Sequence, residues 1–327
     1  SLAIALATGV EPATALMTSV VAGVVCALFA GTELAVSGPA VALSVLTGTI
    51  LLDPRDLEIT DAATTGEPTI ANPNITTKGG AGTTTLNVAD IYLLTGDVII
   101  EALGTFTVST AVDVSKTAGI NDVTMKAGGL MTVNGAITGA NNITLTTTAG
   151  SINLNSPITT TGAGKTVALN TPGSIALAGS IGAGTGTIDL NAKAGIVQTT
   201  GSLVAGTLLS STGITGTVKL DSATNKIASL GALTVTGGDL LLVSQGALAV
   251  TGVVKVDSGR IVSLAVNGFS AAAGIDTGTG TFELAPASAG TMSLGAASAA
   301  ELVLTQAALG NVTAGTCLLY TSDAADE

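Results

Sequence analysis

Histidine and tryptophan are absent from the chain, and other aromatic residues are rare, with four Phe and two Tyr. Without histidine, a Ser or Cys nucleophile has no imidazole base to activate it, and no Ser-x-x-Lys element stands in a context that would replace one. A core without large aromatics has to be built from small aliphatic side chains in many thin layers. Such a core is typical of solenoids, in which each coil contributes one or two Val, Ile or Leu.

Positive charge is also scarce, since ten Lys and Arg stand against 22 Asp and Glu, giving a net charge of −12. Binding to nucleic acid needs a basic stripe, so we expect no nucleic-acid partner. The two cysteines, Cys26 and Cys317, lie far apart in segments of unrelated composition. We therefore expect no structural disulfide. No motif indicates a cofactor.

The first 46 residues have the composition of membrane sequence. No Lys or Arg occurs before Arg55, and residues 13–30 (ATALMTSVVAGVVCALFA) form an uncharged apolar run of 18 residues, long enough for one spanning helix. The small residues in this run are typical of helices that pack against other helices in lipid. A second apolar run begins at Gly38. The sequence thus predicts a short membrane-type helical segment over 1–46, and membrane contact through that segment alone.

The same segment, GVEPATALMTSVVAGVVCALFAGTELAVSGPAVALSVL, resembles the sulfate-permease (SulP) family of anion transporters. By that resemblance Ser37, Gly38, Pro39 and Ala40 would form the N-terminus of a half-helix beside an anion site, where free N–H groups and the helix dipole favour negative charge. The second half-helix and the rest of the transporter bundle do not follow. We therefore expect a membrane hairpin without activity, and a SulP-type anion transporter fragment is the alternative function.

Residues 47–316 have a different composition, in which Thr, Gly, Asn and Val dominate and short alternating strands are separated by turn residues. Apolar pairs recur every 21–24 residues, as from Ile143 to Val167, from Val167 to Ile188 and from Ile152 to Ile175. A period in that range is what one coil of a β-solenoid requires. The alternation predicts Ile and Leu inside and Thr, Asn and Ser outside. The series of pairs is expected to run from Val98/Ile100 to Met292/Leu294.

The segment LLDPRDLEIT and the repeats after it resemble the haemagglutinin-like adhesin passengers of bacterial two-partner secretion. The resemblance implies a parallel, right-handed β-helix with 21–24 residues per coil. It also implies a secreted or cell-surface location, an outer-membrane secretion partner, and host or neighbour-cell surface ligands. The function expected from it is structural and adhesive.

Competing folds and activities fit the sequence less well. Helical repeats are excluded because Gly, Thr and Val are poor helix residues and no i, i+3, i+4 stripe persists. An outer-membrane barrel would need aromatic girdles. A β-helical polysaccharide lyase or hydrolase, the third function considered, would cluster several Asp with basic residues, whereas this chain has Arg55 and Arg260 as its two arginines. We therefore predict that the chain is not an enzyme.

Two further patterns are predicted to be structural. The run TTTGAGKT at residues 159–166 ends like a phosphate-binding loop but leads into an alternating strand instead of the required helix, so it is predicted to be a corner. Acidic residues near the start of the repeats show no calcium-binding spacing and are predicted to be solvated turn carboxylates: Asp53, Asp56, Glu58, Asp61, Asp90 and Asp97. No metal site is expected.

The last stretch, residues 317–327 (CLLYTSDAADE), departs from the repeat again. It resembles the translated adapter read-through that ends many reading frames from metagenome assemblies. The sequence therefore predicts a non-native tail at 317–327 and a chimeric junction near Thr47.

Overall fold

The computed structural model of the chain describes residues 56–65, 83–117, 119–288, 290–295 and 302–320. All of them belong to Thr47–Glu327, the second of the two compact units into which the chain divides.

The described residues form short strands with very few helical turns. In chain order the first strands are β1 (Asp56–Thr60), β2 (Thr83–Asn87), β3 (Gly96–Ala102), β4 (Phe106–Val108), β5 (Val112–Asp113), β6 (Ile120–Ala127), β7 (Met131–Val133), β8 (Ile137–Gly139), β9 (Ile143–Thr147), β10 (Ile152–Leu154), β11 (Ile158–Thr160), β12 (Thr166–Thr171), β13 (Ile175–Leu177), β14 (Ile181–Gly182) and β15 (Thr187–Ala192). They continue as β16 (Ile196–Gln198), β17 (Leu203–Leu209), β18 (Ile214–Thr215), β19 (Val218–Leu220), β20 (Lys226–Leu230), β21 (Leu233–Thr236), β22 (Leu240–Val250), β23 (Val254–Val256), β24 (Ile261–Ala271), β25 (Ile275–Asp276), β26 (Thr281–Ala285), β27 (Met292–Leu294), β28 (Leu302–Leu304), β29 (Val312–Thr313) and β30 (Thr316–Leu319). The helical elements are α1 (Val88–Ile91), α2 (Gln306–Leu309) and a 3-10 turn (Val114–Lys116).

The strands stack as a parallel β-solenoid of about nine coils. The first face begins with the strands β3, β6, β9, β12 and β15 and continues through the ends of β17, β20, β22 and β24. The second face runs β2-β1-β4-β7-β10-β13-β16-β19-β22-β24-β26-β30. The third face runs β5-β8-β11-β14-β17-β20. From Ile214 onward, β18, β21, β23, β25 and β29 add a narrow fourth sheet.

The register of the strands confirms the predicted repeat. Ile143 pairs with Val167, Val167 with Ile188, and Ile152 with Ile175. Along the second face from Phe106 to Phe282, paired inward residues are 20 to 25 positions apart in sequence. The alternation of apolar and polar residues therefore encodes the register as well as the strands.

The core is a continuous column of the inward side chains. Ile143, Leu145, Ile152 and Leu154 are each 0% exposed, as are their equivalents in most other coils. Burial of one such side chain contributes about 1.5–3 kcal/mol before the entropy of ordering is counted. Two phenylalanines are fully enclosed, Phe106 near the beginning and Phe282 near the end.

Glycine is required at the corners for two different reasons. Gly164 has φ +69, a conformation that side chains with a Cβ rarely adopt. At Gly128 the reason is close approach, because a Cβ there would lie 1.6 Å from the carbonyl oxygen of Leu103 in the preceding coil. Corners of successive coils thus pack backbone against backbone.

The C-terminal end departs from the predicted series. Met292 and Leu294 do not form a solenoid rung; they lie in β27, which pairs with β28 in a separate two-stranded sheet, and Leu294 is 64% exposed. That part of the prediction is wrong, because an alternating pair alone does not reveal which strand it will join. Leu302 and Leu304 of β28 are fully buried, and β30 extends the second face through Leu319.

Among the described residues, no helix is long and apolar enough to cross a membrane. The membrane-type segment predicted over residues 1–46 lies outside the described ranges. The handedness of the coil stays a prediction.

Candidate binding surface

The residues predicted to form an anion site lie outside the described ranges: Ser37, Gly38, Pro39 and Ala40. The loop-like run at 159–166 is a corner: Thr159 and Thr160 end β11, Gly164 turns the chain, and Thr166 begins β12. A strand stands where a phosphate loop needs a helix, in agreement with the corner interpretation.

Three of the acidic residues singled out from the sequence, Asp56, Glu58 and Asp90, accept hydrogen bonds from residues distant in sequence. Asp56 Oδ1 accepts hydrogen bonds from the backbone N–H and the hydroxyl of Thr105, at 2.7 and 2.8 Å. Asp90 Oδ2 accepts a hydrogen bond from the Thr64 hydroxyl at 2.6 Å. Asp53 lies outside the described ranges. In the described part of the chain, no three Asp, Glu or Cys side chains are grouped as metal ligands.

The first face presents a column of polar side chains, one from each successive coil. The column consists of Asp122, Asn142, Thr166, Thr187, Thr207 and Ser229. Asn142 Nδ2 donates to Asp122 Oδ2 at 3.0 Å, and the Thr166 N–H donates to Asn142 Oδ1 at 2.9 Å. Because the coils are about 4.8 Å apart, the column displays one hydroxyl, amide or carboxylate at each such step. We call this set the first-face column.

Next to this column, Asn191 joins three coils through its amide. Its Nδ2 donates to Asn170 Oδ1 at 2.8 Å and to Asp189 Oδ1 at 2.9 Å, and its Oδ1 accepts from the Ser210 hydroxyl at 2.8 Å. Asp189 Oδ2 in turn accepts from the Ser211 hydroxyl at 2.7 Å. Polar side chains of neighbouring coils therefore order one another, and Asn191 and Ser210 are themselves buried, at 4% and 5% exposure.

The outward column of the second face is more mixed in chemistry. It carries Glu58, Thr107, Thr132, Asn153, Ala176, Val197, Lys219, Leu241, Ser263 and Glu283 in register. Val197 is 45% exposed, so the middle of this face is partly apolar. Of the two columns, the first-face column offers the more regular hydrogen-bonding surface.

Ion pairs are few and lie at the surface. Lys219 and Lys255 each contact an aspartate at 3.0 Å, Asp221 and Asp276 respectively, with partly exposed side chains. The pKa of Asp276 lies below its ordinary value of 3.8. The hydrogen bond from the backbone N–H of Gly278 is the largest cause, and the hydrogen bond from Lys255 is the next. Such exposed pairs contribute about 0–1 kcal/mol each.

The solenoid contains a buried polar pair that was not predicted from the sequence. Gln198 and Asn225 are 4% and 0% exposed, and their amides exchange two hydrogen bonds of 2.9 Å. Asn225 Oδ1 also accepts from the Leu203 N–H at 2.8 Å. The repeat in the sequence contained a signal for this pair: Gln198 occupies the inward position that Leu177 and Leu220 fill in the neighbouring coils.

Comparison with protein families matches residues 1–138 to the sulfate permease family. The match covers less than half of the chain. Its described part lies in the solenoid, from β1 through most of β8, with α1 and the 3-10 turn. No curated protein and no solved structure matches the chain.

Proposed function

We propose that residues 47–316 are a structural, adhesive β-solenoid passenger of a secreted or surface-exposed bacterial protein. The observation that carries the proposal is the first-face column, a regular array of outward polar side chains on a continuous, mostly aliphatic core. Parallel pairing between successive coils provides stiffness along the solenoid, and the ordered polar side chains provide contact surface. The ligands would be host or neighbour-cell glycans or proteins, and export would use an outer-membrane secretion partner.

Adhesion is tested by binding of the fluorescently labelled full chain to epithelial cells, bacterial cells and a glycan array. A triple variant, Thr166→Lys, Thr187→Lys and Thr207→Lys, replaces hydroxyls of the first-face column by charged side chains that cannot accept hydrogen bonds. The matched control, Thr132→Lys, Asn153→Lys and Ser263→Lys, carries the same added charge on the second face. We expect the full chain to bind and the first triple to lose at least about tenfold in affinity, as expected when several contacts are lost. Absence of binding by the full chain, or equal loss in both variants, would contradict the proposal.

The alternative, a SulP-type anion transporter fragment, is favoured by the family match over residues 1–138. Its candidate anion site is Ser37, Gly38, Pro39 and Ala40, where the backbone N–H donors are those of Ser37, Gly38 and Ala40, since proline has none. The described part of the matched span is β-solenoid, which supplies no transport bundle. Reconstitution of the full chain into liposomes decides between the two: sulfate uptake above that of empty vesicles would favour transport and contradict the adhesive proposal for the chain as a whole.

The third function, a β-helical polysaccharide lyase or hydrolase, has weaker support. Within the described ranges Arg260 is the one arginine, and the three ion pairs found there all involve lysines. We propose that the chain has no enzymatic activity. Release of reducing or unsaturated ends from pectin, alginate or hyaluronan would contradict this.

A further inference from the structure

We propose that β1 is an insertable strand, which occupies a slot between two consecutive coils and can leave it while the coils stay folded. On the second face, β1 lies between β2 and β4 and pairs in parallel with both. In sequence, however, the residues of β2 and β4 that pair with the same residue of β1 are 22 positions apart, as from Thr84 to Phe106 and from Leu86 to Val108. That separation is one ordinary coil, within the range of 20 to 25 found along the second face.

The two edges of this slot are matched in register. Leu57 pairs with Thr84 of β2 on one side and with Phe106 of β4 on the other. Ile59 likewise lies between Leu86 and Val108. If β1 leaves, β2 can therefore pair with β4 in the register of a regular coil, with no slip of either strand. The N-terminal coil thus has two complete pairing arrangements.

The inserted arrangement is held by burial and by hydrogen bonds to the following coil. Leu57 is 1% exposed and Ile59 is 0% exposed, so both side chains are part of the core. Glu58 Oε1 accepts a hydrogen bond from the Ser109 hydroxyl at 2.6 Å, in addition to the bonds from Thr105 to Asp56. Because departure of β1 exposes two large aliphatic side chains, the inserted arrangement is the ground state.

The residues that follow β1 in the chain contact the edge of β2 opposite to the edge that pairs with β1. Asn87 Nδ2 donates to the carbonyl oxygens of Asp61 and Ala62 at 3.0 and 2.9 Å. Thr65 then forms an antiparallel bridge with Thr85, in which each backbone N–H donates to the other residue's carbonyl oxygen, with N to O distances of 3.2 and 3.3 Å. The segment 56–65 therefore forms hydrogen bonds with both edges of β2. These hydrogen bonds can break without unwinding any coil of the regular stack.

Disulfide trapping distinguishes the two arrangements, in the full chain carrying Cys26→Ser and Cys317→Ser. Glu58 pairs with Thr85 on one side and Thr107 on the other, so the inserted strand separates Thr85 from Thr107 by two strand spacings, about 9–10 Å. That distance is too long for a disulfide. The pair Thr85→Cys/Thr107→Cys can therefore oxidise only after β1 leaves. The pair Glu58→Cys/Thr107→Cys reports the inserted arrangement and should oxidise at once.

The matched control is Thr132→Cys/Ala176→Cys, which is also two rungs apart but has an ordinary coil, at Asn153, between its members. We expect Thr85→Cys/Thr107→Cys to oxidise slowly while the control pair stays reduced. Adding Ile59→Asp should accelerate the first reaction by about tenfold or more, because a buried carboxylate disfavours insertion. The proposal is overturned if the first pair stays reduced even with Ile59→Asp, since β1 is then a permanent rung. Equal oxidation of both pairs also overturns it, because the opening is then global.

Discussion

At the scale of the residue, the stability of the solenoid depends on which side of its strand each side chain faces. Inward positions are mostly aliphatic, with Met or Phe at a few of them, and inward polar side chains such as Gln198, Asn225 and Ser244 form hydrogen bonds. Gln198 and Asn225 show the rule most clearly, since each amide supplies the donor and acceptor that the other needs. Ser244, 0% exposed, similarly accepts from the N–H of Ile227 at 2.8 Å and donates to its carbonyl at 3.2 Å. A polar side chain is tolerated inside when its partner is present.

The amide pair predicts strong coupling in a double-mutant cycle. Gln198→Leu and Asn225→Leu should each destabilise the fold by about 1–3 kcal/mol, because each leaves a buried amide or backbone group without its partner. The double variant should cost less than the sum of the two, by about 1 kcal/mol or more, since both amides are then gone. Urea denaturation of the four proteins measures the free energies of unfolding. Simple additivity would show that the two amides do not act as a pair.

Asp276 gives a prediction for pH. Because its pKa is lowered in the folded chain, the carboxylate stabilises the fold above the ordinary pKa of 3.8, and this contribution is lost as the pH falls through the folded value. Lys255→Met should raise the pKa of Asp276 only in part, since the N–H of Gly278 is the larger cause. An NMR titration of the carboxyl carbon tests this. A return of the pKa to 3.8 in the variant would show that the lysine is the main cause.

At the scale of the element, the corners are as demanding as the strands. Successive coils approach closely at the turns, and the space above some corner glycines is filled by the backbone of the preceding coil. Other corner glycines have room around them: a Cβ at Gly274 would find its nearest neighbour, the Asn311 carbonyl oxygen, at 3.9 Å. Corner glycines therefore differ in what they contribute.

This difference predicts opposite outcomes for two similar substitutions. Gly128→Ala should destabilise the fold by about 1–3 kcal/mol, because its Cβ overlaps the carbonyl oxygen of Leu103 and the corners must separate. Gly274→Ala should be neutral or stabilising by up to about 1 kcal/mol, through a less flexible unfolded chain. Thermal unfolding of both variants measures the effect. Equal destabilisation would mean that close approach is not what selects glycine at residue 128.

The elements also show what the sequence could predict. Alternation and spacing together specified the pairing of Ile143 with Val167 and of Ile152 with Ile175, because the strand and its register are both encoded by the repeat. The insertion of β1 between β2 and β4 reverses the chain order of β1 and β2 in the stack, and no local sequence pattern records such a reversal. Met292 and Leu294 show the same alternation as the residues of a solenoid coil but pair with β28 instead. Tertiary packing, which the local pattern does not encode, decides this pairing. The first-face column follows from the alternation, whereas the hydrogen bonds that order it required the structure.

At the scale of the whole described solenoid, the regular stacking of the coils sets the distances along its axis. Residues that face outward on the second face should be separated along the axis in proportion to the number of coils between them, at about 4.8 Å per coil. The proposed adhesive function rests on this geometry, since a regular surface array needs a regular stack. An adhesive surface also needs no catalytic cluster, which agrees with the proposal of a non-enzymatic role.

Distances between pairs of spin labels in the full chain, with both native cysteines replaced by serine, test this claim most directly. The pairs Thr132/Lys219, Thr107/Leu241 and Glu58/Ser263 are four, six and eight rungs apart on the second face. A stack of parallel coils predicts mean distances of about 19, 29 and 38 Å, rising by about 10 Å from one pair to the next. Distances that do not rise with the number of rungs would contradict the solenoid.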